Sequence, residues 1–271
     1  MYLTKHKIAR GSAWALDGHY LPTDFDFKKL MQLPQKDFHD YLNSLSTTEA
    51  ADDQLLPPIE DDQEVWACGV TYSRSRDARE AETDVKDVYE KVYRAERPEL
   101  FFKSIGWRVV GHGSPIRIRR DSRWNVPEPE LTLAINSSGE IIGYCVGNDV
   151  SSRDIEGENP LYLPQAKVYD GSCAIGPGIR IVDASRIKDL AIGVEIFRKN
   201  ELVFEGETNS SSMKRSLEEL AFYLTREMTF PYGAFLMTGT GIVPPNDFTL
   251  QVGDVVRIHV DSLILENEVQ S

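Results

Sequence analysis

The chain has 271 residues, 41% of them hydrophobic and 27% charged, enough for one large core or one domain with a small appendage. Its net charge of −13 argues against nucleic acid, whose phosphates demand clustered Lys and Arg. No run approaches the roughly 18 apolar residues of a membrane span, MYLTKHKIARGSAW lacks the apolar core of a signal peptide, and Cys68, Cys145 and Cys173 are too scattered for a disulfide framework or a CxxC zinc knuckle, which fits a reducing cytoplasm.

Residues 1–60 lack strong periodicity, although FDFKKLMQL and HDYLNSL predict short helices. The acidic stretch around Pro57-Pro58 reads as a boundary or an extended connection. EVWACGV is then a compact apolar run and predicts a buried strand. Over 77–95, Ala81, Val85, Val88, Tyr89 and Val92 recur at helical spacing, the mark of an ordinary core face. Past Pro98 the pattern predicts strands at LFFKS, SPIRIR, LTLAIN, IIGYCVG, AIGVEIF, LVFEG, AFLMTG and VVRIHV. Ser138-Gly139, Lys199-Asn200 and Pro244-Pro245-Asn246-Asp247 supply turns between them. One more helix is predicted over 214–228, where Leu217, Leu220, Ala221 and Leu224 share a face. So dense a series of strands suggests a rolled or barrel-like sheet rather than alternating βα units.

WNVPEPELTLAIN holds two glutamates one residue apart. In a strand, side chains at i and i+2 point the same way, so Glu128 and Glu130 share a face with Thr132 and Ala134. Pro129, Leu131, Leu133 and Ile135 take the other. Two parallel carboxylates repel unless something neutralises them, and a hard divalent cation does so through oxygen donors. An E-x-E alone also fits a solvated strand face. The context favours a site: IIGYCVG predicts an apolar strand ending at Asn148-Asp149, where a third oxygen ligand can be presented. Three carboxylates leave positions on an octahedral ion open for water or substrate.

The runs PEPELTL, GEIIGYCVGNDVSSRD, QAKVYDGSCAIGPG and LMTGTGIVPP, in this order over about 65–260, resemble the fumarylacetoacetate hydrolase family. The resemblance implies an α+β, mainly β fold: a mixed β-roll over 61–271 with a small N-terminal domain over 1–60. It implies Mg²⁺ or Mn²⁺ held by Glu128, Glu130 and Asp149, a 2-oxo acid substrate chelating the ion, and a homodimer or homotetramer. NDVSSRDIEGENPLYLPQAKVYDGS and TGTGIVP are most similar to the family's sugar-acid dehydratases, which act on acids such as 2-keto-3-deoxy-D-arabinonate.

The family's hydrolases resemble one another in a His-Glu pair after an Asn-Tyr segment, which activates water. Here the corresponding stretch is GVTYSRSRDARE, which has no histidine. That departure favours β-elimination of water, giving 2,5-dioxopentanoate, over acylpyruvate hydrolysis or oxaloacetate decarboxylation. His112, in VVGHGSP, is either structural or a loop residue able to reach the site. Glu99, in RPELFFKS, matches an acid of the dehydratases. Lys167, in QAKVYDG, matches the family's lysine and is a candidate proton shuttle, or else a salt-bridge partner of Asp170 or of a metal carboxylate. Thr240, in TGTG, matches a segment that meets the substrate carboxylate. Ser75 and Arg76 stand where the hydrolases carry their histidine loop, and are candidate substrate contacts. Arg153 and Asp154 read as a structural ion pair. The GHG and GPG triplets are too short for phosphate binding.

Overall fold

A computed structural model of the protein describes residues 1–75, 78 and 86–271. The chain opens with a meander of β1 (Tyr2–Ile8), β2 (Gly11–Leu16) and β3 (His19–Tyr20). Helices α1 (Phe27–Leu30) and α2 (Phe38–Ser44) follow, then β4 (Leu55–Leu56), β5 (Glu64–Gly69), α3 (Lys86–Arg94) and β6 (Glu99–Ile105). The middle of the chain supplies β7 (Ile116–Arg117), β8 (Asn125–Val126), β9 (Pro129–Ile135), β10 (Ile141–Asp149) and β11 (Ser151–Ser152). Short helices α4 (Arg153–Glu158) and α5 (Leu163–Lys167) lead into β12 (Cys173–Ile181). The remainder is β13 (Ala191–Arg198), β14 (Glu201–Asn209), α6 (Leu217–Thr225), β15 (Ala234–Met237), β16 (Val255–Val260) and β17 (Leu263–Gln270).

One mixed sheet runs β3-β2-β1-β12-β10-β9-β15-β5-β6, with β4 paired to β1. A second runs β14-β13-β16-β17-β7, and β8 pairs with β11. The fold is mainly β with few helices, as the pattern of apolar runs predicts. Both faces of the large sheet are covered, which is why β9 and β10 read as near-continuous apolar runs. Leu131, Leu133 and Ile135 pack against Ile192, Val194, Val256 and Ile258 of the second sheet and Leu220 and Leu224 of α6. Ala134, on the opposite face, joins Phe27, Leu30, Met31, Phe38 and Leu42 of the N-terminal segment. At the β13–β14 turn Lys199 and Asn200 both have positive φ, 52° and 66°, as a two-residue hairpin with the sheet's own twist requires.

Each predicted strand is present, although SPIRIR shortens to the two residues of β7, paired with β17. The part of the 77–95 stripe before Lys86 lies outside the described residues. Strands β1, β2, β12 and β17 go beyond the predicted set. β1 escapes a pattern search because it buries Thr4, Lys5 and His6. Their polar groups find partners only in the folded chain: Lys5 Nζ pairs with Glu60 at 2.8 Å, and His6 Nδ1 meets the Asp53 carbonyl at 2.8 Å. β12 carries Gly176-Pro177-Gly178, which reads as a breaker. Gly178 instead lets β1 approach, since a Cβ there would sit 2.4 Å from the Leu3 carbonyl oxygen. Among the described residues no helix is long and apolar enough to cross a membrane.

Candidate active site

Strand register brings the three acids together. β10 runs antiparallel to β9 with Gly147 opposite Glu130 and Asn148 opposite Pro129. Asp149 therefore stands beside Glu128, and its N–H donates to the Glu128 carbonyl at 3.1 Å. Alternation turns Glu128, Glu130 and Asp149 to one face, and their carboxylate oxygens lie within 4.8 Å of one another. All three are buried, Glu130 completely. Asp149 is the last residue of β10, so the strand itself aims it.

The neighbouring strand β15 adds a backbone donor. The chain leaves β15 through Gly239, whose N–H reaches Glu130 Oε2 at 2.6 Å. Gly239 has φ +91°, and a Cβ there would lie 2.1 Å from Thr71 Oγ1. Gly239→Ala is accordingly expected to cost about 1–3 kcal/mol, read by thermal unfolding.

Burial pushes the Glu130 carboxyl well above the usual carboxylate range, and the charges of Asp149 and Glu128 push it further, against the pull of Lys167. Its Oε1 has no hydrogen-bond partner among the described residues. Converging oxygen donors, one of them a buried orphan, fit a hard divalent cation such as Mg²⁺ or Mn²⁺.

Among the described residues, three cations face the acids. Lys167 Nζ donates to Glu128 Oε1 at 2.6 Å and to Asp149 Oδ2 at 3.0 Å. Lys103, fully buried on β6, forms an ion pair with Asp149 Oδ1 at 2.5 Å. It also donates to the carbonyls of Val150 and Lys167. The reach of β6 back to β10, with three strands between them in sheet order, is the roll itself. Arg153 Nη2 lies 3.2 Å from Glu128 Oε1 with its side chain 1% exposed.

A narrow cleft opens beside this cluster. Glu99, Lys167, Ser75 and Thr240 line it with Glu128, Glu156 and Tyr89. Glu99 is the first residue of β6, opposite Gly69. A Cβ on Gly69 would fall 1.9 Å from Glu99 Oε2, so the glycine makes the space that carboxyl occupies. Ser75 Oγ donates to the Tyr72 carbonyl at 2.8 Å. Thr240 Oγ1 is engaged with Ile242, accepting from its N–H at 3.1 Å. Val70, also in the wall, has φ 53°, a strained conformation for a β-branched residue. Burial, then Glu130 and Glu99, push the Cys68 thiol up, which keeps it protonated and unfit as a nucleophile.

The structure thus brings seven of the eight candidate residues to one place, and the eighth, Arg76, lies outside the described residues. His112 is elsewhere: its Nδ1 accepts from the Glu266 N–H at 3.2 Å, beside Gly176. No histidine lines the cleft among the described residues.

The expected Arg153–Asp154 ion pair is overturned. Adjacent positions on α4 point apart. Arg153 turns in to Glu128, while Asp154 accepts from Ser122 Oγ at 2.6 Å and the Arg123 N–H at 2.7 Å. Lys167 does not pair with Asp170, which meets Arg108 at 3.1 Å. Sequence reasoning missed Lys103 and Glu156. A lone lysine inside the apolar LFFKSI was a usable signal for the first; Glu156, among acids in RDIEGEN, had none.

Residues 65–270 match the family described as fumarylacetoacetate (FAA) hydrolase C-terminal. A Haloferax volcanii protein named "Probable 2-keto-3-deoxyxylonate dehydratase" is 50% identical over 204 residues, 75% of this chain and 70% of that protein. The 2-dehydro-3-deoxy-D-arabinonate dehydratase of Saccharolobus solfataricus is 44% identical over 232 residues, 83% of this chain and 76% of that protein. Among solved structures, a 2-keto-3-deoxy-D-arabinonate dehydratase complexed with magnesium and 2,5-dioxopentanoate superposes with a TM-score of 0.85 at 36% identity, covering 100% of this chain and 99% of that one. The match over 65–270, together with these identities, establishes that the chain belongs to the fumarylacetoacetate hydrolase family.

Proposed function

We propose that this protein is a divalent-metal-dependent hydro-lyase that dehydrates a 2-keto-3-deoxy sugar acid, 2-keto-3-deoxy-D-arabinonate, to 2,5-dioxopentanoate. The carrying observation is that Glu99, Lys167 and Glu128 line one cleft whose described walls hold no histidine. Such a cleft supplies groups for proton transfer at carbon and at a hydroxyl but, among the described residues, not the histidine with which the family's hydrolases activate water. The named relatives support the reading, and their two substrates coincide. In the D series, arabinonate and xylonate differ only at C2 and C3, and conversion to the 2-keto-3-deoxy acid abolishes both centres.

A cation held by Glu128, Glu130 and Asp149 supplies Lewis acidity, which makes C3 of a chelated 2-oxo acid a stronger carbon acid. Lys167 Nζ, anchored between Glu128 and Asp149, is set to hold or move the C3 proton. Glu99 serves the other end of the elimination, delivering a proton to the departing C4 hydroxyl. Thr240 and Ser75 position the substrate from the cleft wall. Arg76 is assigned to substrate binding on its place in the sequence.

With Mg²⁺ present, the purified protein is expected to release 2,5-dioxopentanoate from the 2-keto-3-deoxypentonate. Faster release of pyruvate from an acylpyruvate would overturn the reading. Gly69→Ala, which forces the Glu99 carboxyl aside, is expected to lower kcat by about 10²-fold. We place the enzyme in the cytoplasm, supported by three free, buried cysteines. We also propose a homodimer or homotetramer, supported by the exposed Trp107 and Leu161 and checked by sedimentation.

A further inference from the structure

Elimination alone does not reach 2,5-dioxopentanoate. Loss of the C3 proton and the C4 hydroxyl from a 2-keto-3-deoxypentonate leaves a C3=C4 double bond and an intact C5 alcohol, 5-hydroxy-2-oxopent-3-enoate. The dioxo acid has the same composition, but its C5 is an aldehyde and its C3 and C4 are saturated. Converting one to the other requires a proton to leave C5. That pair forms C4=C5, the C3=C4 pair moves to C2=C3, and the keto pair settles on the C2 oxygen. C3 then takes a proton as the ketone returns. The remaining C4=C5 enol takes a proton at C4 and gives up its hydroxyl proton. The sequence is an isomerisation and needs no co-reactant. It does need a base at C5, beyond C4 from the carbon deprotonated first.

The cleft contains a side chain for which neither the cation site nor the elimination has a use. Glu156 lines it from α4, 5% exposed, and is not one of the three clustered carboxylates. Glu99 and Lys167 enter from β6 and α5, so the ionisable groups converge from three elements. Ser151 Oγ donates to Glu156 Oε2 at 2.8 Å, a buried bond that fixes the orientation of the carboxyl. Ser151 opens β11, two residues after Asp149, so Glu156 is tied to the strand end that carries the cation site. A buried acid held by a partner at the wall of a cleft is a candidate for a functional role.

We propose that Glu156 is a second base of this enzyme, which takes the C5 proton after water has left and returns it to C4, so that one cleft performs an elimination and then an allylic isomerisation. The assignment rests on the dehydratase reading above. Glu156→Gln keeps an acceptor for Ser151 but cannot take a proton. With Mg²⁺ and 2-keto-3-deoxypentonate, the ratio of released 5-hydroxy-2-oxopent-3-enoate to 2,5-dioxopentanoate, followed by NMR and by enone absorbance, is expected to rise at least about 10²-fold. Glu156→Asp, which retains a carboxylate, is expected to recover part of the C5 step. In the wild type, deuterium at C5 is expected to slow aldehyde formation and to appear in part at C4. An unchanged product ratio in the Gln variant, or equal losses in the Gln and Asp variants, overturns the role of Glu156. A wild type that releases neither the enone nor the dioxo acid overturns the parent reading, and the assignment with it.

Discussion

Glu130→Gln is expected to fold, to withstand heat without metal at least as well as the wild type, and to lose both turnover and the magnesium-dependent gain in Tm. The amide replaces a fully buried carboxyl that burial and two neighbouring acids hold far above its usual range. Its carbonyl still accepts the Gly239 N–H, and its N–H₂ takes the place of the unpartnered Oε1, beside the Glu128 and Asp149 carboxylates that can accept from it. What disappears is the ionised oxygen a cation requires. A ligand at about 100 times its Kd stabilises by about 2.7 kcal/mol, or roughly 5–10 °C in Tm. The wild type is expected to show a gain of that order with Mg²⁺, and the variant none.

The same carboxyl makes the effect depend on pH. In the unfolded chain it ionises near 4.5; in the metal-free fold it holds its proton to higher pH. Below 4.5 both states are protonated, and Glu130 contributes no slope. Above that, the unfolded state binds fewer protons than the folded one, so stability falls as pH rises until the folded carboxyl ionises. Cation binding needs the ionised form, so the Mg²⁺-dependent gain grows over the same window. Calorimetry over a pH series upward from 4.5 reads this directly, and a gain that does not change with pH would remove Glu130 from the site.

Glu99→Gln is expected to reduce kcat by about 10²–10⁴-fold while leaving the magnesium-dependent rise in Tm intact. The variant preserves shape in the space above Gly69, where a Cβ would lie 1.9 Å from Glu99 Oε2, and removes only the exchangeable proton. Exchange of the C3 hydrogens with deuterated water separates the two proton carriers. Exchange that persists in the variant assigns C3 to Lys167; exchange that vanishes assigns it to Glu99. Full dehydratase activity in this variant excludes Glu99 from the chemistry.

Much of this site was legible in the sequence because it rests on local geometry. A strand turns i and i+2 to one side, so Glu128 and Glu130 pair whatever surrounds them. The apolar runs mark β5, β6, β9, β10 and β13 to β16, since a sheet covered on both faces needs such residues. The absence of histidine from GVTYSRSRDARE is a fact of composition, and it already shifts the chemistry away from hydrolysis.

Tertiary structure decided what depends on register and on the closing of the roll. Asp149 joins the glutamates because β10 pairs with β9 in one register; a slip by one residue would turn it to the opposite face. Lys103 reaches Asp149 only because β6 curls back over β10, and Arg153 reaches Glu128 only because α4 begins where β11 leaves it. Buried charges such as Lys5, Lys103 and Glu156 break every hydrophobic pattern, and their partners lie 55, 46 and 5 residues away along the chain. The sequence by itself determined the pair of parallel glutamates, the strands that carry them and the missing water-activating histidine. Only the fold decided which distant charges neutralise that pair and which acids share its cleft, because such charges are tolerable in the interior only beside partners that a closed roll brings within reach.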